Sequence, residues 1–461
     1  MFPIEFKRRI ADQNQIDSDQ LYKALSEPSP VSIRINPSKW NRRPLDSDPV
    51  PWCDHGWYLE SRPSYTFDPL FHAGCYYPQE ASGMFLEQVF KQLINPEEKI
   101  RALDLCGAPG GKSTHISSLI GEKGVLVANE VIRSRALILA ENLTKWGSSN
   151  TLVTQSDPSV FCNMPGFFDL ILVDAPCSGE GMFRDQVALK EWSVENALLC
   201  SERQKRILMV VWPALKENGI LIYCTCTFNP GENEQNIKWL TGKQEAESVQ
   251  LKLSGYEGIT EIRYQGIHGY GFYPGKIRGE GLFISIMRKK SKHDKKTFKF
   301  RPVGNNKLTK EEKAVSGDWT FFPEERLIKS GEDIYSLACT DADFNIMSKY
   351  LKIIRSGTKI CSVKKKNYLP SHEMALSVHM KKYRFPVVNL DLNQALSYLH
   401  RENLILKNTE KGWNTACYNG VNLGFLNNIG NRINNYYPVE WRIRMNVIKH
   451  PESNIIQWQS L

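Results

Sequence analysis

One segment constrains the fold of this chain more than any other, namely L-D-L-C-G-A-P-G-G-K-S-T at residues 103–114. An apolar strand pattern that ends at Leu105 runs into a turn rich in glycine and proline, and a helix opened by Ser113 follows. Glycine lets a backbone turn sharply and approach a ligand closely, with the N–H groups of the helix facing that ligand. The pattern predicts the first βα turn of a doubly wound α/β domain, where such folds hold a nucleotide.

From residue 99 the sequence alternates between strand and helix patterns, which favours a parallel sheet covered by helices. The predicted strands span residues 100–105, 125–128, 151–154, 168–173, 219–223 and 281–287. The helix that carries Leu139, Leu143 and Trp146 is expected to end at Gly147, and Pro213 is expected to kink or end the helix before the fifth strand. Acidic residues and cysteines follow the first five strands, at the edge where open α/β sheets bind ligands.

The glycine turn narrows the choice of nucleotide. Residues 106–113 nearly match the G-x-x-x-x-G-K-S of a P-loop NTPase, but Cys106 replaces the first glycine. Pro109 also removes an N–H group from a loop that works by donating N–H groups to phosphates. A Rossmann dehydrogenase fits less well, because no G-x-G-x-x-G follows the strand. The turn therefore favours an adenosine-containing cofactor that has no triphosphate.

S-adenosylmethionine is such a cofactor, and the acidic residues after the second and third strands suit it. Glu130 ends the second strand about 20 residues beyond the turn, where a carboxylate binds ribose hydroxyls. We expect Asp157, after the third strand, to contact the adenine amino group. The segment Gly107–Gly111 is then expected to pack against the methionine end.

Two cysteines follow neighbouring strands of the predicted sheet, Cys177 after the fourth strand and Cys226 after the fifth. C5 of a pyrimidine is barely nucleophilic, but a thiolate that adds at C6 makes C5 enamine-like and able to attack a methyl sulfonium. A lone cysteine is most often an inert buried residue. Two cysteines at adjacent strand ends, in D-A-P-C and T-C-T, instead indicate methylation at C5 of a pyrimidine.

Three segments resemble the motifs of the RNA 5-methylcytosine methyltransferases of the NOL/NOP/Sun family. They are C-G-A-P-G-G-K-S-T (106–114), D-A-P-C-S-G-E-G (174–181) and Y-C-T-C-T-F-N-P-G-E-N-E (223–234), in the family's order. The resemblance extends from Gln79 to about Lys289. It implies the α/β fold of class I S-adenosylmethionine-dependent methyltransferases, Rossmann-like with a mixed seven-stranded sheet.

The resemblance also implies a role for each residue that matches the motifs. Cys226 would be the nucleophile, and Cys177 would assist release of the methylated product. Asp174 would hydrogen-bond the flipped cytosine, and Lys112 would help to order the site. The expected cofactor-binding residues are Cys106, Gly107, Ala108, Pro109, Gly110, Gly111, Lys112, Glu130, Asp157 and Asp174.

The chain departs from the family pattern at two positions, and neither removes a reacting group. The family usually has alanine where Gly107 stands and serine where Cys224 stands. In the third motif, Glu232 and Glu234 are expected to fix the loop and the helix start after Cys226 rather than to act as bases.

The length of 461 residues allows two or three domains. We predict an N-terminal RNA-binding α/β appendage at 1–95, the methyltransferase domain at 96–290 and a basic linker at 291–309. A small α+β domain is predicted at 310–385 and a β-rich RNA-binding domain at 386–461. The last domain contains a hairpin signal at Asn419-Gly420.

Segments outside the core resemble the bacterial small-subunit rRNA methyltransferases of the RsmF type. They are R-I-N (34–36), G-V-N-L-G (420–424) and N-N-Y-Y-P (434–438). This resemblance implies a cytosine in the decoding region of 16S rRNA, on free rRNA or on the small ribosomal subunit, and a PUA-like C-terminal domain. Two alternatives stay open, a tRNA methyltransferase with the same core and a catalytically silent rRNA-binding assembly factor. The intact Cys177 and Cys226 count against the silent factor.

The composition agrees with a nucleic-acid-binding protein and argues against a metal-binding, disulfide-rich, secreted or membrane protein. The net charge of +9 favours an anionic partner. The 11 cysteines are scattered without paired metal spacing, so we expect no metal site, no disulfide framework and a reduced, cytoplasmic protein. No signal peptide or membrane-length apolar run is found, so no membrane partner is expected, and a monomer is expected.

Overall fold

A computed structural model describes residues 2–291, 308–365, 367–406, 409–446 and 454–460. Most of the predicted basic linker, 291–309, lies outside these ranges. The N-terminal part contains α1 (Ile4–Ala11), α2 (Ser18–Leu25), β1 (Val31–Ile35), β2 (Ser47–Pro49), β3 (Gly56–Leu59), α3 (Pro69–His72) and β4 (Tyr76–Pro78). Its strands form an antiparallel sheet in the order β2-β3-β1-β4, and α4 (Leu86–Leu93) leads into the next domain.

The central domain alternates strands with helices, as the sequence predicts. Its strands are β5 (Arg101–Asp104), β6 (Val125–Asn129), β7 (Thr151–Thr154), β8 (Phe168–Asp174), β9 (Leu215–Thr225), β10 (Ala246–Ser248), β11 (Thr260–Tyr264), β12 (Ile267–Phe272) and β13 (Leu282–Lys289). Its helices are α5 (Gly111–Ile120), α6 (Arg133–Trp146), α7 (Gln186–Glu191), α8 (Val194–Val211) and α9 (Glu234–Lys243).

The predicted mixed seven-stranded sheet is present as β7-β6-β5-β8-β9-β13-β12. The first five of these strands run parallel, β13 pairs antiparallel with β9, and β12 pairs antiparallel with β13. Three further strands extend the sheet to ten: β10 and β11 from the same domain, and β16 (Ile353–Ser356), which pairs with β7. The segment 310–385 therefore contributes a strand to the catalytic sheet.

Apolar clusters on both faces of the sheet explain why its central strands are apolar throughout. Neighbouring residues alternate between the two clusters, so Ala102 packs on one face and Leu103 on the other. The expected helix ends are confirmed: Gly147 ends α6 in a left-handed conformation with φ 85°, and α8 ends at Val211, just before Pro213.

The start of α5, the helix after the glycine turn, differs from the sequence prediction. α5 begins at Gly111 and not at Ser113, and the Ser113 hydroxyl does not cap it. It instead donates a 2.6 Å hydrogen bond to Asp104 at the end of β5.

The C-terminal part contains two smaller sheets. The first has the order β14-β15-β17-β18 and the second β19-β20-β21-β22. The strands are β14 (Leu327–Ser330), β15 (Asp333–Ser336), β17 (Thr358–Lys364), β18 (Asn367–Pro370), β19 (Val387–Asn389), β20 (Gly412–Tyr418), β21 (Val421–Asn428) and β22 (Ile433–Asn435). The helices are α10 (Lys310–Trp319), α11 (Asp341–Tyr350), α12 (His372–Leu376) and α13 (Leu392–His400).

The predicted hairpin is confirmed, since Asn419 and Gly420 connect β20 to β21 with φ of 48° and 79°. The last sheet and α13 share an apolar cluster with β1, so the two ends of the chain pack together; Ile33 and Leu423 are among its members. Within the described ranges, no helix has the length and apolar composition needed to cross a membrane.

The burial of His372 in this C-terminal part is expected to make the stability of the protein depend on pH. Both ring nitrogens are buried without a hydrogen-bond partner among the described residues, and burial lowers the pKa of His372 from 6.5 to about 3. As the pH falls below 6.5 the unfolded chain binds this proton and the folded chain does not, so stability is lost. Between pH 7 and 5 the wild type is expected to lose about 2 kcal/mol more than His372→Phe. Urea unfolding of both proteins at the two pH values measures this; equal losses would contradict it.

Candidate active site

The turn between β5 and α5 is held from two neighbouring elements. The N–H of Gly107 donates to the carbonyl of Asn129 at 2.8 Å, and Gly110 has a φ of 122° that favours glycine. From α6, Arg135 donates to the carbonyl of Ala108 at 3.0 Å. A Cβ on Gly107 would lie 2.8 Å from the Ser113 hydroxyl, so this chain packs the turn more tightly than an alanine at that position allows.

A buried carboxylate at the end of β5 was not identified from the sequence. Asp104 accepts the Ser113 hydrogen bond through Oδ2, while Oδ1 is buried without a hydrogen-bond partner among the described residues. Burial, with the charge of Asp174 nearby, raises the pKa of Asp104 to about 7. An acidic residue that ends a predicted strand beside a glycine turn is the sequence signal that points to it.

Glu130 and Asp157 lie at the same sheet edge, after β6 and β7. The buried Glu130 accepts from the N–H of Ile132 at 3.1 Å and is 3.3 Å from Arg135, which also holds the glycine turn. Asp157 is exposed and caps a short 3-10 helix by accepting from the hydroxyl and the backbone N–H of Ser159 at 2.6 and 2.9 Å, and these two hydrogen bonds lower its pKa. Both carboxylates thus follow neighbouring parallel strands, and Glu130 shares Arg135 with the turn.

Lys112 and Asp174 form an ion pair across the site. Lys112 Nζ lies 2.8 Å from Asp174 Oδ2, and the thiol of Cys224 donates to the other oxygen, Oδ1, at 3.4 Å. Burial alone would lower the pKa of Lys112, but the attraction of Asp174 outweighs it and raises the pKa. Lys112 therefore stays cationic and fixes the carboxylate of Asp174, which remains one-third exposed at 34%.

Cys177 and Cys226 are brought into direct contact, with 3.0 Å between their sulfur atoms. The backbone N–H of Cys226 also points at the sulfur of Cys177 at 3.2 Å, and the N–H of Gly181 donates to the carbonyl of Cys226 at 2.9 Å. The hydrogen bond to Cys226, together with burial, raises the pKa of Cys177 well above its ordinary value. Cys177 is therefore held as a protonated thiol beside Cys226.

Glu232 holds the two cysteine loops together, as the sequence suggests for a loop-fixing role. Its carboxylate accepts from the N–H and hydroxyl of Ser178 at 2.9 and 2.6 Å, next to Cys177. It also accepts from Gln204 of α8 at 2.9 Å and from Asn229 at 3.1 Å. With four donors and full burial, this carboxylate has no free oxygen for a base role.

The short distance between the two sulfur atoms predicts that mild oxidation links them. Hydrogen peroxide would convert the two thiols to one disulfide and two molecules of water, and a disulfide requires only that the sulfur atoms approach from 3.0 Å to about 2 Å. Peptide mass spectrometry should show a Cys177–Cys226 crosslink that dithiothreitol reverses. The exposed Cys162 is the internal control, because the crosslink does not involve it. Preferential crosslinking of any other pair would contradict the geometry.

Among the described residues, one cluster has three possible metal ligands within 4.8 Å of one another: Cys53, Glu87 and His115, all buried. The carboxylate of Glu87 is hydrogen-bonded to His115 Nε2 at 3.2 Å and accepts from the backbone N–H of Asp54 at 3.1 Å. It also forms an ion pair with Lys91 Nζ at 2.8 Å. Burial lowers the pKa of His115 to about 4, so these contacts explain the cluster as a hydrogen-bond network around Glu87 between the N-terminal part and the central domain.

The strand order, the glycine turn and the acidic residues at the sheet edge define a class I S-adenosylmethionine-dependent methyltransferase. The family model "16S rRNA methyltransferase RsmB/F" matches residues 91–288. Models of the N-terminal domain of 16S rRNA methyltransferase RsmF and of the methyltransferase RsmF PUA domain match residues 2–81 and 385–443.

Relatives match along nearly the whole chain. "Ribosomal RNA small subunit methyltransferase F" of Aliivibrio salmonicida is 31% identical over 458 residues, which cover 93% of this chain and 94% of that protein. The protein of the same name from Shewanella loihica is 29% identical over 457 residues, covering 92% of each. A solved methyltransferase homologue from Pyrococcus horikoshii is 28% identical, covers 62% of this chain and 95% of that one, and has a TM-score of 0.53. The chain belongs to the RsmF family of 16S rRNA methyltransferases.

Proposed function

We propose that this chain methylates C5 of a cytosine in the decoding region of 16S rRNA, through a covalent bond between Cys226 and C6 of the base. One observation carries the proposal: two thiols lie 3.0 Å apart where neighbouring parallel strands end, beside the Lys112–Asp174 pair. Methylation of an exocyclic amine needs no thiol, whereas C5 needs a nucleophile at C6. The paired thiols therefore favour C5.

Residues of the site suit addition at C6, orientation of the base and release of the product. The thiolate of Cys226 adds at C6, which makes C5 nucleophilic, and Asp174 accepts a hydrogen bond from the cytosine amino group. Lys112 holds the carboxylate of Asp174 in place through their 2.8 Å ion pair. After C5 gains the methyl group, water takes its proton, and the electron pair of that C–H bond forms the C5–C6 double bond as the bond between sulfur and C6 breaks. Cys177, held protonated, donates to the departing Cys226 sulfur and so assists release.

The residues around the turn fit S-adenosylmethionine. The turn itself needs glycine at two positions, since a Cβ at Gly107 would lie 2.8 Å from the Ser113 hydroxyl and Gly110 has a φ of 122°. Residues Cys106–Lys112 and Asp174 would hold the methionine end, Glu130 the ribose hydroxyls and Asp157 the adenine amino group. When bound there, this cofactor supplies an electrophilic methyl group.

The rRNA substrate is supported by the relatives, whose names specify the small ribosomal subunit. It is also supported by the match of residues 385–443 to a PUA domain and by the net charge of +9. An rRNA substrate implies that the reaction takes place in the cytoplasm. A tRNA methyltransferase with the same core remains the second candidate, because the core motifs do not distinguish the two RNAs.

Bisulfite sequencing of rRNA and tRNA from a strain lacking the gene tests this proposal. Loss of one methylated cytosine in 16S rRNA, restored by the wild-type gene and not by Cys226→Ala, is the expected result. Loss of a tRNA site instead would reject the 16S assignment. If the deletion changes no methylated cytosine, the C5 activity is wrong and a binding role in subunit assembly takes its place.

A further inference from the structure

Helices α1 and α2 pack against the segments that carry the two cysteines. Phe183, six residues after Cys177, and Phe228, two residues after Cys226, share one apolar cluster with both helices. The ring of Phe6 in α1 lies 4.9 Å from the ring of Phe183, edge to face. The remaining members of this cluster from the two helices and the loop between them are Ile10, Ile16, Leu21 and Leu25. The N-terminal helices therefore cover the catalytic loops directly.

One buried carboxylate connects α1 to the backbone beside Cys226. The side chain of Glu180 is fully buried, and its Oε1 pairs with Arg9 of α1 and accepts from the indole N–H of Trp192 at 3.0 Å. Its other oxygen, Oε2, accepts from the backbone N–H of Phe228 at 3.1 Å. The next residue, Gly181, donates its N–H to the carbonyl of Cys226. Glu180 and the backbone of Gly181 thus hold the Cys226 loop at two points, the N–H of Phe228 and the carbonyl of Cys226.

A carboxylate in this position needs a cation. Burial of an ionised group is costly, and removal of one partner of a buried pair leaves an uncompensated charge. An ionised carboxylate also accepts shorter and stronger hydrogen bonds than a neutral one. Arg9 supplies the cation: its side chain is 24% exposed, and its guanidinium lies over the ring of Trp192 at 5.8 Å.

We propose that Arg9 is a positioning residue, which acts through Glu180 to hold Cys226 at its working distance from Cys177. The inference deepens the proposed function and rests on it, because the effect on turnover passes through Cys226. Neither the T-C-T motif nor the D-A-P-C motif includes Arg9, which stands 171 positions from Glu180. The N-terminal helices then position the Cys226 loop as well as cover it.

Matched variants of two adjacent arginines test the proposal on the full-length chain. Arg9→Gln is expected to lower kcat about tenfold, with the KM for S-adenosylmethionine unchanged and activity partly rescued in Arg9→Lys. Arg8→Gln is the control, because Arg8 is exposed on the same helix. In a Glu180→Gln background, adding Arg9→Gln should change kcat less than about twofold, since the buried charge is already gone. An equal loss in both backgrounds would overturn the proposal.

A second measurement separates positioning from a general loss of structure. The rate of Cys177–Cys226 crosslinking by hydrogen peroxide depends on the separation of the sulfur atoms, and we expect it to fall in Arg9→Gln but not in Arg8→Gln. A wild-type rate in Arg9→Gln would overturn the proposal. Should that variant not accumulate as folded protein, Glu180→Gln carries the same test. Because crosslinking needs no RNA, it tests Arg9 even if the proposed methylation is wrong.

Discussion

Replacement of Cys226 by alanine is expected to abolish methyl transfer while binding of S-adenosylmethionine is kept. The nucleophile has no substitute, because the neighbouring Cys177 is held as a protonated thiol by burial and by its hydrogen bond. Loss of a sole nucleophile should lower kcat by at least about 10,000-fold. The proposed cofactor residues precede β9 in the chain and do not depend on this side chain. Transfer of a labelled methyl group to small-subunit rRNA measures the activity, and calorimetric titration measures cofactor binding.

Cys162→Ala is the matched control for this experiment. Cys162 is an exposed free cysteine of the same domain, so the same substitution there should leave both activity and cofactor binding unchanged. Wild-type turnover in Cys226→Ala would reject Cys226 as the nucleophile. Loss of cofactor binding in that variant would show instead that the substitution disturbs the whole sheet edge.

The proximity of the two cysteines could be predicted from the sequence, because it depends on strand order alone. Cys177 and Cys226 each follow a strand of the same parallel sheet, and the carboxyl ends of adjacent parallel strands meet at one edge. β8 and β9 are indeed neighbours, with Asp174 paired to Cys224 in register. Local sequence pattern and the rules of α/β sheets thus sufficed for this part of the site.

The contacts that support the site could not be predicted in this way. Arg9 reaches Glu180 from a helix that lies 171 positions earlier in the chain, and Arg135 reaches the Ala108 carbonyl from α6. β16 joins the catalytic sheet from a segment that sequence pattern assigns to a separate unit. These contacts are set by tertiary packing, and a single charged residue on a helix carries no local signal of its partner.

The two departures from the family pattern keep the chemistry of the positions they occupy. Cys224 donates its thiol hydrogen to Asp174, as a serine hydroxyl could, and its burial raises the pKa of the thiol so that the proton is retained. Gly107 leaves room for the Ser113 hydroxyl to reach Asp104. Neither substitution alters the side chains that would contact the base.

Replacement of Cys177 by alanine is expected to trap a covalent complex between protein and RNA. Release requires the bond between Cys226 and C6 to break, and Cys177, the proposed proton donor, lies 3.0 Å from the Cys226 sulfur. Without it the methylated base stays attached, so product release slows while bond formation continues. Denaturing electrophoresis should then show a shifted band that contains labelled RNA and resists dithiothreitol, since a carbon–sulfur bond is not reducible by thiols.

The double variant Cys177→Ala/Cys226→Ala separates this adduct from tight non-covalent binding. It is expected to give no shifted band, because the sulfur that forms the bond is absent. Accumulation of the band in Cys226→Ala and its absence in Cys177→Ala would mean that the two cysteines have exchanged roles. The contact between the two sulfur atoms is symmetric, so this experiment assigns the roles; the raised pKa of the Cys177 thiol, caused by its hydrogen bond to Cys226 and by burial, agrees with a proton donor.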